Sequence, residues 1–357
     1  MKILFLGETY RADAQTWIKG IEKESGLKIK TLELKTVNNR IFRVFQSIFF
    51  AIKLLFQRLT GYQYDIVLAE RATSYGFFSL FTRAKIKAVA QQGITDAYPE
   101  TGISHLVKKS LQTIVYKNVD IIHAWGKAMN IAQLESKAHP KKIITLPKGL
   151  DLSKFNFNKF EPNSSTLKII VTRSLEPIYN HDIIIKAIKL LTINNIPVEL
   201  NIIGGGSLMT KLKALANELE ISDKVNFLGL IPNLELERYL KECPLYVSIP
   251  GSEGVSSSLQ EAMAVGCFPI VSNIPGNQAF INPYKNGLLV THENEKDLSQ
   301  AIEYYYINQN LHSNAAEINR DWINKNANRT NNMHYFFNRY IEVIENKRIA
   351  KKTSLNK

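Results

Sequence analysis

Only two cysteines, Cys243 and Cys267, occur in 357 residues, too few for a disulfide scaffold or a four-thiolate metal site. Each sits among apolar or proline neighbours and reads as a small buried hydrophobe in a reducing compartment. Asp-x-Asp is absent, and the seven histidines form no close ligand pair, so a metal-bound diphosphate is not expected. No apolar run is clean enough for a transmembrane helix. The longest candidate, Arg40–Leu59, is interrupted by Arg43, Lys53 and Arg58. Met1-Lys2 leads straight into the apolar run Ile3 to Leu6, which is shorter than the apolar region of a signal peptide, so no export is expected. The Lys-rich end from Lys347 to Lys357 reads as a frayed, solvated tail. Acidic residues are scarce in one half: residues 1–157 hold 24 Lys/Arg against 12 Asp/Glu, while residues 158–357 hold 21 against 20. Nearly all of the net charge of +13 therefore lies in the first half, which suits a polyanionic partner or an anionic membrane surface.

What remains is the composition of a globular protein, 45% hydrophobic and 22% charged, and long enough for two cores. Short β-rich runs alternate with stretches of helical spacing. Six strands are expected in the first half, at Lys2–Leu6, Lys28–Leu34, Tyr64–Ala69, Ile86–Gln91, Val119–His123 and Ile143–Leu146. Six more are expected in the second, at Lys168–Thr172, Val198–Ile203, Val225–Leu228, Leu245–Ile249, Pro269–Ser272 and Leu288–Val290. Helical periodicity fills the gaps, as in Ile183, Ile184, Ala187, Ile188 and Leu191. The pattern predicts an α/β protein of two doubly wound, Rossmann-like domains. The polar stretch Asp151 to Thr166 marks the boundary, giving domains at 1–157 and 158–330. A C-terminal helix and basic tail at 331–357 would follow, with a return of that helix to the first domain as one option. Two such sheets facing one another would place a ligand beyond their carboxyl ends, in a central cleft.

The richest segment runs from Pro250 through Glu253, Glu261 and Gly266 to Pro269. A strand ends at Pro250, a Gly/Ser loop follows, and a helix begins near Ser256–Ser258. The unpaired N–H groups and positive dipole end of such a helix can hold a phosphate without a charged side chain. Two carboxylates flank the loop. Glu261 would suit a pair of ribose hydroxyls, although Ser258 with Glu261 three residues later is equally a capping box.

The spacing Glu253, seven residues, then Glu261-Ala-Met-Ala with Gly266 and Pro269 resembles the signature of glycosyltransferase family 4, retaining enzymes of the GT-B fold. Further blocks come in that family's order: Leu146-Pro-Lys-Gly149-Leu-Asp151, Ile202-Ile-Gly204-Gly-Gly206, Val225-Asn-Phe-Leu-Gly229, Ser272-Asn-Ile-Pro-Gly276-Asn and Asn286-Gly287-Leu-Leu-Val290. The resemblance covers about residues 143–305 and is weak before them. It implies a nucleotide-diphosphate sugar as donor substrate, with no separate cofactor. Glu253 would contact the sugar, Glu261 the ribose, and the backbone of Gly254, Val255, Ser256 and Ser257 the diphosphate. Gly204, Leu228 and Asn180 would complete the donor pocket.

By the same resemblance, Arg173 would stabilise the departing diphosphate. The lysine that usually accompanies it is replaced by the Tyr179-Asn180 neighbourhood. A histidine common at a strand end of the first domain is replaced by Gln92, which can hydrogen-bond a sugar but cannot carry a proton. Asp96 is the nearest carboxylate to it.

Arg40–Leu59, apolar nearly all round but studded with cations, fits either an interfacial helix on an anionic membrane or a core helix with charges at its rim. The expected function is transfer of a sugar to a glycan or lipid-linked acceptor, in surface polysaccharide or lipopolysaccharide synthesis, in the cytoplasm or at the inner face of the cell membrane. A non-catalytic GT-B subunit that binds sugar nucleotide or a partner enzyme is the alternative. No nucleic-acid module is recognisable, so no nucleic-acid partner is expected.

Overall fold

A computed structural model describes residues 1–34, 39–91, 103–160, 166–309 and 314–355. The chain forms two compact units, one of Met1–Lys148 with Arg329–Lys357 and one of Gly149–Asn328. The sequence reading put these limits at 157/158 and 330/331. Leu150 and Phe155 instead belong to the second core, and Leu150 N–H donates to Ala327 O at 2.7 Å, which closes the second unit on itself.

The first unit holds β1 (Ile3–Leu6), β2 (Lys30–Leu32), β3 (Tyr64–Glu70), β4 (Ala84–Ala90), β5 (Ile121–Ala124) and β6 (Ile143–Thr145). Their order in the sheet is β2-β1-β3-β4-β5-β6, with every pairing parallel. The inner strands β1, β3 and β5 are buried almost throughout, as strands of a parallel sheet covered on both faces are, whereas β2 at the edge is largely exposed. Helix α1 (Ala12–Ser25) packs Trp17, Ile18 and Ile21 inward. The chain returns to this unit in α3 (Arg329–Leu355), whose Phe336 and Tyr340 are fully buried. The Lys-rich end is therefore helical to Leu355 rather than frayed. Lys347 Nζ fixes it, 2.6 Å from Asp120 Oδ1 and donating to Lys85 O at 2.9 Å.

Helix α2 (Arg40–Leu59) is capped by Asn39, whose side chain accepts from the N–H groups of Ile41 and Phe42. Among the described residues of this helix only Phe50 and Leu54 are buried. Ile41, Phe42, Val44, Phe45, Ile48, Phe49, Ile52, Leu55, Phe56 and Leu59 are all exposed, Phe49 by 71%. The core-helix alternative is thereby corrected: the helix rests on the unit by one narrow edge. No helix among the described residues is long and apolar enough to cross a membrane.

The second unit holds β7 (Leu167–Thr172), β8 (Val198–Ile203), β9 (Val225–Gly229), β10 (Leu245–Ser248), β11 (Phe268–Ser272) and β12 (Leu288–Val290). All pairings are again parallel, in the order β12-β11-β10-β7-β8-β9. Successive connections from β7 run one way and those after β10 the other. The switch point of this doubly wound sheet thus lies between β7 and β10, where ligands of such sheets bind beyond the carboxyl ends. All twelve expected strands are present, with ends shifted by a few residues at most.

Candidate active site

Arg173 directly follows β7, and the loop from Pro250 directly follows Ile249 and β10, so strand order alone brings them together. The Arg173 guanidinium lies 2.7 Å from Glu253 Oε1, and its other terminal nitrogen donates to Ser256 Oγ at 3.1 Å and Ser258 Oγ at 3.4 Å. Tyr179 covers one face, with its ring centre 4.3 Å from the guanidinium carbon. Side-chain exposures of 10% and 13% for Arg173 and Glu253 leave the pair nearly desolvated. Burial opposes the charge of Arg173, but Glu253, aided by Tyr246 and Tyr179, outweighs it and holds the guanidinium above its ordinary range. Beneath it the Tyr246 phenol is pushed up to about 12, chiefly by burial, and stays neutral. His181, at the head of the next helix, is lowered by burial and by Arg173. Arg173 is the charge that governs this end of the sheet.

Glu253 has one oxygen on Arg173, while its buried Oε2 has no partner among the described residues. A buried acceptor without a donor costs about 1–3 kcal/mol, which a hydroxyl donor from a ligand would recover. The loop is held from below. Ser272 Oγ donates to Pro250 O at 2.8 Å, and Asn277 Nδ2 donates to Ser272 O at 2.9 Å. A Cβ on Gly276 would lie 2.4 Å from Glu253 O, so the Ser272–Asn277 block supports the Glu253 loop and demands glycine at that point.

The helix Ser257–Val265 starts at the N-cap Ser256, whose Oγ accepts from Leu259 N–H at 3.1 Å. Ser258 therefore lies inside the helix and spends its hydroxyl on Thr172 O at 3.0 Å. The capping box of Ser258 with Glu261 is thus not formed. Ser257 and Ser258 occupy the first turn of this helix, where backbone N–H groups lack an intrahelical acceptor.

Asn180 adopts a left-handed backbone, φ +51°, and its Nδ2 donates to Ile249 O at 2.9 Å, tying the loop after β7 to the end of β10. Gly204 serves Arg173 from behind: its N–H donates to Gly229 O at 2.8 Å, and a Cβ there would stand 2.1 Å from Arg173 O. Gly204→Ala is expected to destabilise the fold by about 2–3 kcal/mol, roughly 5–10 °C in melting temperature. At Gly205 a Cβ would meet only the Leu230 side chain, at 3.2 Å, so Gly205→Ala should melt near the wild type. Equal melting of the two variants in calorimetry would show that the Gly204 contact is unimportant.

Arg173, Glu253, Ser256, Asn180 and Gly204 thus converge, and Gly254 and Ser257 lie on the connecting loop and helix start. Val255 and Leu228 pack against the second core. Gln92 and Asp96 lie outside the described residues. Sequence reasoning missed Tyr179 as the cover of Arg173 and Ser258 as its second anchor. The unusual Tyr where a Lys is expected was the available signal for the first.

Residues 153–322 match the family model of glycosyl transferases group 1. The second unit is a group 1 glycosyl transferase domain. A Campylobacter jejuni relative, the N-acetylgalactosamine-N,N'-diacetylbacillosaminyl-diphospho-undecaprenol 4-alpha-N-acetylgalactosaminyltransferase, is 26% identical over 276 residues, 75% of this chain and 74% of the relative. A glycosyltransferase from Rickettsia africae shares the fold with a TM-score of 0.77 at 16% identity, covering 97% of this chain and 99% of that one. Anabaena Alr3699/HepE, solved in complex with UDP and glucose, gives 0.70 at 14% identity and 99% of both chains. The GT-B glycosyltransferase resemblance drawn from the ordered blocks is borne out, and these likenesses extend the fold to the first domain, where the motifs are weak.

Proposed function

We propose that this protein is a retaining glycosyltransferase that moves a sugar from a nucleotide-diphosphate donor to a glycan or lipid-linked acceptor. The setting would be surface polysaccharide or lipopolysaccharide synthesis at the inner face of the cell membrane. The observation that carries the reading is Arg173, fixed by Glu253, Ser256, Ser258 and Tyr179 at the sheet's switch point and beside a helix start. A cation and helix N–H groups at one spot suit a diphosphate that gains negative charge as the sugar leaves, and they do so without a metal. Glu253 Oε2 would take a hydroxyl of the transferred sugar. In the front-face course proposed here, the departing phosphate oxygen takes the acceptor's proton, so no basic side chain is required from the Gln92 segment.

The Campylobacter relative's name specifies a diphospho-undecaprenol substrate, which supports a lipid-linked acceptor. The Anabaena structure's UDP supports a uridine donor. The exposed apolar face of α2, with Lys53 and Arg58 at its two margins, would dock the first unit on an anionic bilayer.

Thermal shifts against a panel of nucleotide sugars should reveal the donor, because a ligand selective for the folded state raises the melting temperature. Hydrolysis or transfer from that donor with the anomer retained completes the test. Donor binding without turnover would leave a non-catalytic subunit, and an inverted product would refute retention. Glu261→Gln should weaken nucleotide affinity by about 1–3 kcal/mol in calorimetry if Glu261 holds the ribose, with the fold intact. Unchanged affinity would remove it from the donor site.

A further inference from the structure

A cation that stabilises a departing diphosphate also holds the product. While the sugar is attached, the terminal phosphate is a diester with one negative charge. The free nucleoside diphosphate ends in a monoester whose second ionisation lies at about pH 6, so at neutral pH it carries nearly one charge more. A site made of Arg173 and a helix start alone would therefore grip the product more tightly than the donor.

Glu253 supplies an opposing charge. Its Oε1 lies 2.7 Å from one terminal nitrogen of Arg173, while the other terminal nitrogen is spent on the hydroxyls of Ser256 and Ser258. The guanidinium is thus already neutralised from within the chain. Both side chains are nearly buried, and in so dry a place two anions sharing one cation repel each other far more than in water. The carboxylate has little freedom to retreat with its backbone. Gly276 packs so closely that a Cβ there would stand 2.4 Å from Glu253 O, and Ser272 Oγ holds Pro250 O at 2.8 Å.

The second carboxylate oxygen distinguishes the two ligands. Glu253 Oε2 is buried and has no hydrogen-bond partner among the described residues. A sugar hydroxyl can supply the missing donor, whereas the terminal phosphate of a free nucleoside diphosphate offers only acceptor oxygens. We infer that Glu253 sets the preference of the site for sugar nucleotide over free nucleoside diphosphate: it competes with the terminal phosphate for Arg173 and compensates only a ligand whose sugar hydroxyl reaches its second oxygen. The inference rests on the glycosyltransferase reading, which supplies both ligands. Glu253 then favours product release in addition to contacting the sugar. Neutralising a side chain that merely supports the site weakens every ligand, but neutralising an internal competitor tightens the nucleotide.

Calorimetry of the full chain with UDP and uridine monophosphate tests this without knowledge of the sugar. Glu253→Gln keeps the shape of the side chain and removes its charge. It should bind UDP about tenfold more tightly than the wild type, with the affinity for the monophosphate nearly unchanged, because the difference resides in the terminal phosphate. Glu253→Asp keeps the anion and should not tighten UDP. Should Glu253→Gln melt too low for titration, Glu253→Ala, in which water can reach Arg173, carries the comparison with the same expected gain. UDP affinity equal to the wild type's or weaker in a folded neutral variant overturns the inference. Failure of the wild type to bind any nucleoside diphosphate is a separate result, which sinks the glycosyltransferase reading and this inference with it.

Discussion

Arg173→Ala is expected to lower kcat by about 10²–10³-fold, the usual loss when one fixed electrostatic partner of a transition state is removed. The donor KM should change far less, because charge on the leaving diphosphate grows during the reaction and the missing interaction is strongest after binding. The size of the effect depends on how the guanidinium is held. Two hydroxyls and a carboxylate engage its edge and Tyr179 covers its face, so its position does not have to be organised when the donor arrives. Arg173→Lys tests this separately. A lysine keeps the charge but cannot make the forked contacts or stack equally well on Tyr179, so it should recover only part of the lost turnover. Removing the cation also leaves Glu253 in a nearly dry site, and breaking such a pair destabilises the fold. Melting temperatures must therefore accompany the kinetics. Normal turnover in a folded Arg173→Ala enzyme would shift leaving-group stabilisation to the helix start alone.

Much of this arrangement is legible in the sequence because local chemistry dictates it. Twelve short β-rich runs give twelve parallel strands, since buried strands must be apolar on both faces. Glycines at 204 and 276 mark places where one backbone lies against another, and both prove to support the site. What was not legible depends on long-range placement. Ser258 and Glu261 have the spacing of a capping box, yet Ser256 begins the helix and leaves Ser258 for Thr172 and Arg173. The aromatic cover of Arg173 could not be read from spacing, because Tyr179 reaches it through a 3₁₀ turn, Pro177–Tyr179, and the left-handed Asn180. Periodicity likewise could not decide α2. A helix apolar nearly all round is usually buried, and only the fold reveals that its neighbours cover Phe50 and Leu54 and little else.

That helix supports the second large effect, a loss of vesicle affinity of about a hundredfold or more. At about 100° per residue, the ten exposed apolar side chains of α2 span an arc of roughly 160°, with Lys53 at one margin and Arg58 beyond the other. This is the pattern of a helix lying in the headgroup boundary rather than across the bilayer. The wild type should cosediment with phosphatidylglycerol vesicles at low salt and less so at high salt, because the cations lose influence beyond a Debye length. Replacing Arg43, Lys53 and Arg58 together by Gln removes about 1 kcal/mol each, roughly a hundredfold in affinity at low salt. Replacing Phe45, Phe49 and Phe56 together by Ser should cost about 3 kcal/mol or more, since each ring then loses at least half of its burial in lipid. The two losses differ in kind: the aromatic loss should persist at high salt, whereas the cationic one should fade. Both variants should melt with the wild type, because all six side chains are exposed, while Leu54→Glu should unfold the unit by placing a charge in its core. Wild-type protein that stays in the supernatant at both salt concentrations would refute docking through α2. A concentration-dependent dimer under those conditions would identify a second copy of the chain as what covers this face.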